Sequence, residues 1–216
     1  MVRLFTKWLV PVAFTLLGFG LNIKSATAQM INEFSATYDV LAFSRSVTPG
    51  ITASTLSGTS TDAPYGLTTI NGLTYSVVDP ITGFFRFNTD PTVFGLQNIP
   101  SSEVVFGSGT NKLFGTDSAT GVIDFASLTA TATGIFTITG GEGIFTGATG
   151  TLNFSEVDTL SLDPTIPTRA RATVNGRIYV PPVQKVPEPT VTTTLLAIGL
   201  IASSFELRKH YSSNRR

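Results

Sequence analysis

The sequence predicts an all-β protein: an antiparallel barrel, with a β-sandwich as the alternative, set between an N-terminal signal helix and a C-terminal hydrophobic helix. Three observations carry this. Short runs rich in Val, Ile, Thr, Phe and Tyr recur between Gly, Pro, Asn and Asp, which is the pattern of strands and turns. No stretch between the two ends shows the apolar period of an amphipathic helix. Each end carries an apolar run beside basic residues, which reads as a signal rather than as part of a packed domain. The 216 residues divide accordingly into 1–28, 29–185 and 186–216.

The first segment has the three parts of a secretory signal peptide. Arg3 and Lys7 make it positive, residues 8–21 are apolar, and Ala26 and Ala28 supply the small side chains of a cleavage site. The mature chain is expected to begin at Gln29.

Between the signals the charge is mildly acidic. Seven basic residues stand against twelve acidic ones over 29–185, a net charge of −5. No basic stripe is present, which argues against nucleic acid as a partner. The chain has no cysteine, so disulfides and thiolate metal sites are excluded. The domain must be held by its own apolar core, and its length is sufficient for one.

In chain order the strand candidates are "FSATYDVLAF", "TASTLSG", "GLTYSVVD", "GFFRFNT", "EVVFGSG", "NKLFGT", "GVIDFASLTATA", "GIFTITGG", "GTLNFSEV" and "RARATVNGRIYV". In "GFFRFNT" and "RIYV" bulky and polar residues trade places, as on a sheet with one buried face. About ten strands at this spacing suit a sandwich or a closed barrel. Closure also removes the exposed edges that invite aggregation of an exported protein.

The sharpest local feature is "TGIFTITGGEGIFTGATGTLNF". It predicts strands over 135–139 and 151–154 joined by "GGEGIFTGATG". Gly140, Gly141 and Gly143 can take the positive φ of a tight hairpin. Ile144 and Phe145 are the apolar anchors, and Gly147 and Gly150 permit a second bend. The run Gly140, Gly141, Gly143, Phe145, Gly147, Ala148, Gly150 resembles hairpins of barrel proteins of the allene oxide cyclase and dirigent type. That resemblance covers about eleven residues and implies a barrel rather than a sandwich; it implies no activity.

Catalytic chemistry has few carriers. The single histidine is His210, in the tail, so His-dependent nucleophilic catalysis and histidine metal sites are excluded from the domain. The glycine spacing fits neither nucleotide fingerprint. "GSGTNKLFGTD" lacks a carboxylate where a calcium-binding glycine repeat needs one, at Asn111-Lys112, and reads as a turn. Glu142, Glu156, Asp158 and Asp163 remain. A carboxylate pair can hydrolyse glycosides or help hold Ca²⁺, but the preferred reading is a solvated loop after a strand. Arg169 and Arg171 share a strand face; they are expected to pair with Glu156 or Asp158, with contact to acidic polysaccharide as the alternative. Tyr38, Tyr65, Tyr75 and Tyr179 are the candidates for stacking on a sugar. No catalytic residue, metal site or cofactor is assigned.

The last segment combines Val186-Pro187-Glu188-Pro189, an apolar run over 191–205, and basic residues from Arg208 and Lys209 onward. As a helix the run spans roughly 22 Å, short against a hydrocarbon core of about 30 Å. The prolines keep the segment before it extended. This arrangement resembles the PEP-CTERM sorting signal of Gram-negative bacteria and cyanobacteria, with Glu206 as one departure. The resemblance implies transient anchoring in the inner membrane, processing at Pro-Glu-Pro by an exosortase-type enzyme, and release to the cell surface or exopolysaccharide matrix.

The sequence thus predicts a non-enzymatic exported β-domain protein with a structural or adhesive role, possible contact with exopolysaccharide, and no nucleic acid. A calycin-like barrel holding a small apolar ligand is the alternative, and a cyclase or carboxylate hydrolase has the least support. Intact mass of the protein from fractionated cells checks the two signals. A chain starting at Gln29, ending near Pro189 and recovered from the surface fraction is expected. A chain still carrying Arg216 in the inner membrane would overturn the sorting expectation.

Overall fold

The computed structural model describes residues 29–99 and 101–182. The predicted signal peptide with Ala26 and Ala28, and the predicted sorting segment with Val186, Pro187, Glu188, Pro189, Arg208 and Lys209, lie outside the described residues. Gln29 is the first described residue and is exposed. Among the described residues no helix is long and apolar enough to cross a membrane.

Nine strands make one antiparallel sheet: β1 (Met30–Thr48), β2 (Ile51–Thr59), β3 (Thr69–Val78), β4 (Phe84–Asn88), β5 (Val104–Phe106), β6 (Lys112–Asp124), β7 (Thr129–Glu142), β8 (Thr149–Thr159) and β9 (Thr168–Val180). The only helical pieces among the described residues are three single 3-10 turns. Neighbours pair in the order β2-β1-β9-β8-β7-β6-β4-β3-β5, and β2 also pairs with β3. The ladder of pairings therefore runs from β1 through β2, β3, β4, β6, β7, β8 and β9 back to β1.

Ten sequence runs became nine strands for a local reason. "NKLFGT" and "GVID" form a single strand, β6, while "TATA" opens β7. The turn between them is made by Asp124, whose carboxylate accepts from Ala126 N at 2.9 Å and Ser127 Oγ at 2.7 Å. Asp79 and Asp163 organise the β3–β4 and β8–β9 connections in the same way, accepting from the backbone and hydroxyl groups of nearby threonines. Such side chains imitate a backbone turn.

β4 and β5 share one strand position. β4 pairs with Tyr75–Val78 of β3 and Ser118–Val122 of β6, and β5 pairs with Ile70–Gly72 and Leu113–Gly115. Residues 89–99 and 101–103 lie outside the sheet between them. The gap is plugged by Thr89, which donates through its N–H to Asp117 O at 3.2 Å and accepts from Asp117 N at its Oγ1. Ser102 Oγ donates to Leu73 O on the other side. The excursion then lays Leu96 against Ala53 and Tyr75 in a small satellite cluster.

One end of the interior is filled. Phe34, Tyr38, Phe106, Phe136 and Phe145 are buried there, with Phe106 edge-on to Tyr38 and Phe136 at 5.3 and 4.9 Å between ring centres. Tyr38 Oη donates to Leu67 O at 2.5 Å, satisfying its polar tip as a buried tyrosine requires. The predicted glycine connection seals this end. β7 and β8 are longer than the predicted 135–139 and 151–154, and they absorb Gly140, Gly141 and Gly150. Gly140 and Gly141 are thus strand residues without positive φ, next to a register shift opposite Phe114 and Gly115. Gly143 and Gly147 do take positive φ, 66° and 72°. Phe145 is wholly buried, whereas Ile144 is 53% exposed and anchors nothing.

Asn111 ties the loops at this end. Its amide donates to Tyr65 O at 3.0 Å and accepts from Ile144 N at 3.3 Å. Tyr65 sets its ring edge-on to Phe145 at 5.7 Å. Removing the Phe145 ring should cost about 3–5 kcal/mol, the usual range for a buried Phe→Ala. Urea denaturation of Phe145→Ala is the check, with Ile144→Ala expected to lie within about 0.5 kcal/mol of the parent.

Candidate functional site

The other end of the interior is built from small side chains. The inward positions of β7 there are Ala130 and Ala132, and those of β9 are Ala170 and Ala172. Large residues at the first end and small ones at the second leave a cavity of about 200 Å³. Phe85, Phe87, Phe106, Phe136 and Phe154 contribute its aromatic walls. Phe87 stacks on Phe85 and Phe154 at 6.4 and 6.0 Å. Gly121 and Gly134 make room for this stack: a Cβ at either would stand 2.5 Å from a carbon of the Phe85 or Phe154 ring. Exposed Ser44 and Val78 belong to the lining and mark the side on which the cavity meets solvent. Ser44 and Ser54 share a hydrogen bond of 2.7 Å there.

Three carboxylates reach into this apolar space: Asp117 of β6, and Glu156 and Asp158 of β8. No Lys, Arg or His lines the cavity. Asp117 Oδ1 and Asp158 Oδ1 are buried with no hydrogen-bond partner, a costly arrangement in a folded protein. Burial pushes the Asp117 carboxyl up to about 7. Glu156 is raised by burial first and then by the negative charges of Asp158 and Asp117. Asp158 is raised by burial.

This placement corrects the expected roles of the acids. Glu156 and Asp158 lie within β8 and point inward, so they solvate no loop. Arg169 and Arg171 are on the outward face of β9, and Arg171 instead approaches Asp39 at 3.9 Å. Glu142 is outside the cavity, bound to Lys112 at 2.7 Å. Asp163 serves the β8–β9 turn. Two tyrosines considered for sugar stacking, Tyr38 and Tyr75, are buried, and Tyr65 is engaged with Glu33 O at 3.1 Å and Phe145. Among the described residues no group of three acidic, histidine or cysteine side chains is arranged to hold a metal ion.

Asp117 was not singled out from the sequence, although a signal exists. In "KLFGTDSATGVID" it has the parity of Leu113, Ala119 and Ile123, which places it inside. Glu156 and Asp158 likewise share the parity of Leu152, Phe154 and Leu160. An acid on the apolar face of an alternating strand is the informative exception.

Fold and site together define an all-β protein with an antiparallel sheet, a densely filled end, and an acid-bearing apolar cavity. No protein-family model, no curated protein and no solved structure matches the chain.

The carboxyls set a pH dependence with a definite sign. An acid raised from 3.8 to about 7, as Asp117 is, stabilises the fold fully below about pH 4 and loses that contribution as pH rises to its folded value. At 1.36 kcal/mol per unit the loss is about 4 kcal/mol. Asp62, Asp79, Asp124 and Asp163 act oppositely: hydrogen bonds hold them below their ordinary value, so their contribution is lost as pH falls below about 4. Urea midpoints should peak near about pH 4–5 and fall toward pH 8. In Asp117→Asn the fall should be smaller; an equal fall would contradict the assignment.

Proposed function

We propose that this protein is an exported binder of a small apolar molecule, held in the cavity between the aromatic wall of Phe85, Phe87 and Phe154 and the small residues Ala130, Ala170 and Ala172. The observation that carries the reading is the cavity itself. A well-packed interior has few voids larger than a water molecule, and about 200 Å³ of apolar space exceeds the ~150 Å³ known to admit benzene. Sequence choices keep it open: four alanines face inward where leucine or phenylalanine would fill the space.

The reading takes the sheet as a closed barrel rather than a β-sandwich. Its support is the uninterrupted circuit of pairings through β1, β2, β3, β4, β6, β7, β8 and β9, and interiors of small barrels hold single ligands in this way. Export and delivery to the envelope, surface or matrix rest on the terminal sequences alone, as does the exosortase-type partner. The structural or adhesive reading draws less support, because the tyrosines that would stack on exopolysaccharide are mostly packed into the domain.

Titration with N-phenyl-1-naphthylamine, an uncharged apolar fluorophore, tests the reading. Saturable binding at one site per chain is expected. Ala130→Phe, which projects a ring into the cavity, should weaken it by about tenfold or more while thermal unfolding stays cooperative. Enhancement that never saturates, or is indifferent to Ala130→Phe, would remove the cavity from the function.

A further inference from the structure

We infer that the cavity selects a cationic ligand, a small amine whose apolar body packs on the phenylalanines and whose protonated nitrogen is held by a carboxylate of the set Asp117, Glu156 and Asp158. This rests on the cavity being the binding site and adds the chemical class of its occupant. Two observations converge on it. The first is the charge of the lining, which consists of three acids and no base. The second is the state of Asp117 and Asp158: each is 7% exposed, and each keeps a buried oxygen without a donor.

The chemistry separates ligand classes. An anionic ligand would add a like charge to an acidic apolar space, which disfavours binding. A neutral hydroxyl offers one donor, enough for a single orphaned oxygen. An ammonium offers up to three donors together with the opposite charge. It therefore satisfies an unpartnered oxygen and compensates a buried carboxylate at the same time, and charge-assisted hydrogen bonds of this kind are the stronger ones. The aromatic walls add to this, since ring faces attract a desolvated cation. A divalent cation fits less well, because the described residues supply no metal-binding group of three.

The other polar groups do not compete for the acids. The nearest bases on the neighbouring strand β9, Arg169 and Arg171, are turned to solvent on its opposite face. The remaining polar lining is hydroxyl only: Ser44, Ser54, Thr74, Ser76 and Thr168. Burial raises all three carboxyls, and no counter-ion in the lining offsets it. A bound ammonium supplies one, so ligand binding should release protons near neutral pH.

Size follows from the volume. A space of about 200 Å³ is somewhat larger than the ~150 Å³ that admits benzene, so an aromatic ring with a short aminoalkyl chain is a suitable probe. Calorimetric titrations of the protein with 2-phenylethylamine, 2-phenylethanol and 3-phenylpropionate at pH 7.5 compare cation, neutral and anion on similar frames. The amine should bind at least tenfold more tightly than the alcohol, with the carboxylate weakest. The amine's advantage over the alcohol should vanish in Asp117→Asn/Glu156→Gln/Asp158→Asn.

A second arm needs no variant. The amine stays protonated from pH 7.5 to 5 while the cavity acids take up protons, so its affinity should drop about tenfold and the alcohol's should not. Equal affinity of amine and alcohol, or amine affinity indifferent to pH over this range, would overturn the inference. If all three phenyl compounds fail while N-phenyl-1-naphthylamine still saturates, the cationic class falls and the apolar cavity stands. If the fluorophore fails as well, both fall.

Discussion

Strand β1 serves two neighbours, and much of the domain depends on that. Its residues 30–42 pair with β9 while 39–48 pair with β2, so one strand joins the first and last parts of the described chain. The overlap is short, and the early half of β1 is left with an edge that β2 never reaches. The β2–β3 connection covers it with side chains. Asp62 accepts from Thr37 N at 2.9 Å, and Tyr65 Oη donates to Glu33 O. These contacts stand in for a ladder, meeting the demand that strand-edge donors and acceptors find partners. The same connection brings Leu67 over Tyr38 and Tyr65 over Phe145, so edge coverage and the sealing of one end are a single structural event.

The cavity is the complement of that seal. Aromatic rings concentrate where the β2–β3, β5–β6 and β7–β8 connections meet. Toward the other end the inward positions of β7 and β9 are small, with Ala130, Ala132, Ala170 and Ala172, and Phe85, Phe87 and Phe154 form a wall. The break between β4 and β5 falls beside Asp117, whose backbone is held by Thr89 and whose side chain enters the apolar space. Hydrogen bonds that would otherwise run along a continuous strand are supplied by Thr89 and Ser102. The strand break therefore fixes the backbone of the residue that brings one of the three buried acids inward.

Acids in an apolar space oppose stability, and the fold tolerates three of them, two with a buried oxygen that has no partner. Their contribution is most favourable when protonated and is lost as they ionise, whereas the turn aspartates at Asp79, Asp124 and Asp163 are stabilising only when ionised. The two sets are distinguished by environment alone: exposed acids accept hydrogen bonds from nearby N–H and hydroxyl groups, and interior acids have almost none to accept. Local conflict with good packing is expected at functional positions, and here both unpartnered carboxylates line one cavity.

Strand content and the bends at Gly143 and Gly147 were legible in the sequence because each is a local matter: alternation sets strand faces, and a glycine frees its own φ. The turn at Asp124, inside a run that reads as one strand, was not legible. Parity along β6 and β8 also carried the inward direction of Asp117, Glu156 and Asp158. Solvation was the wrong inference for Glu156 and Asp158, though not for exposed Asp163, because the length of β8 depends on pairing with β7 and β9 rather than on its own composition. Gly140 and Gly141 became strand for the same reason. Only the tertiary structure decided that acids from β6 and β8 face one space, that arginines two residues apart on β9 turn away from it, and that alanines from separate strands leave it open. Those outcomes depend on pairing between residues distant in the chain, and periodicity within a single strand holds no record of its partner's register.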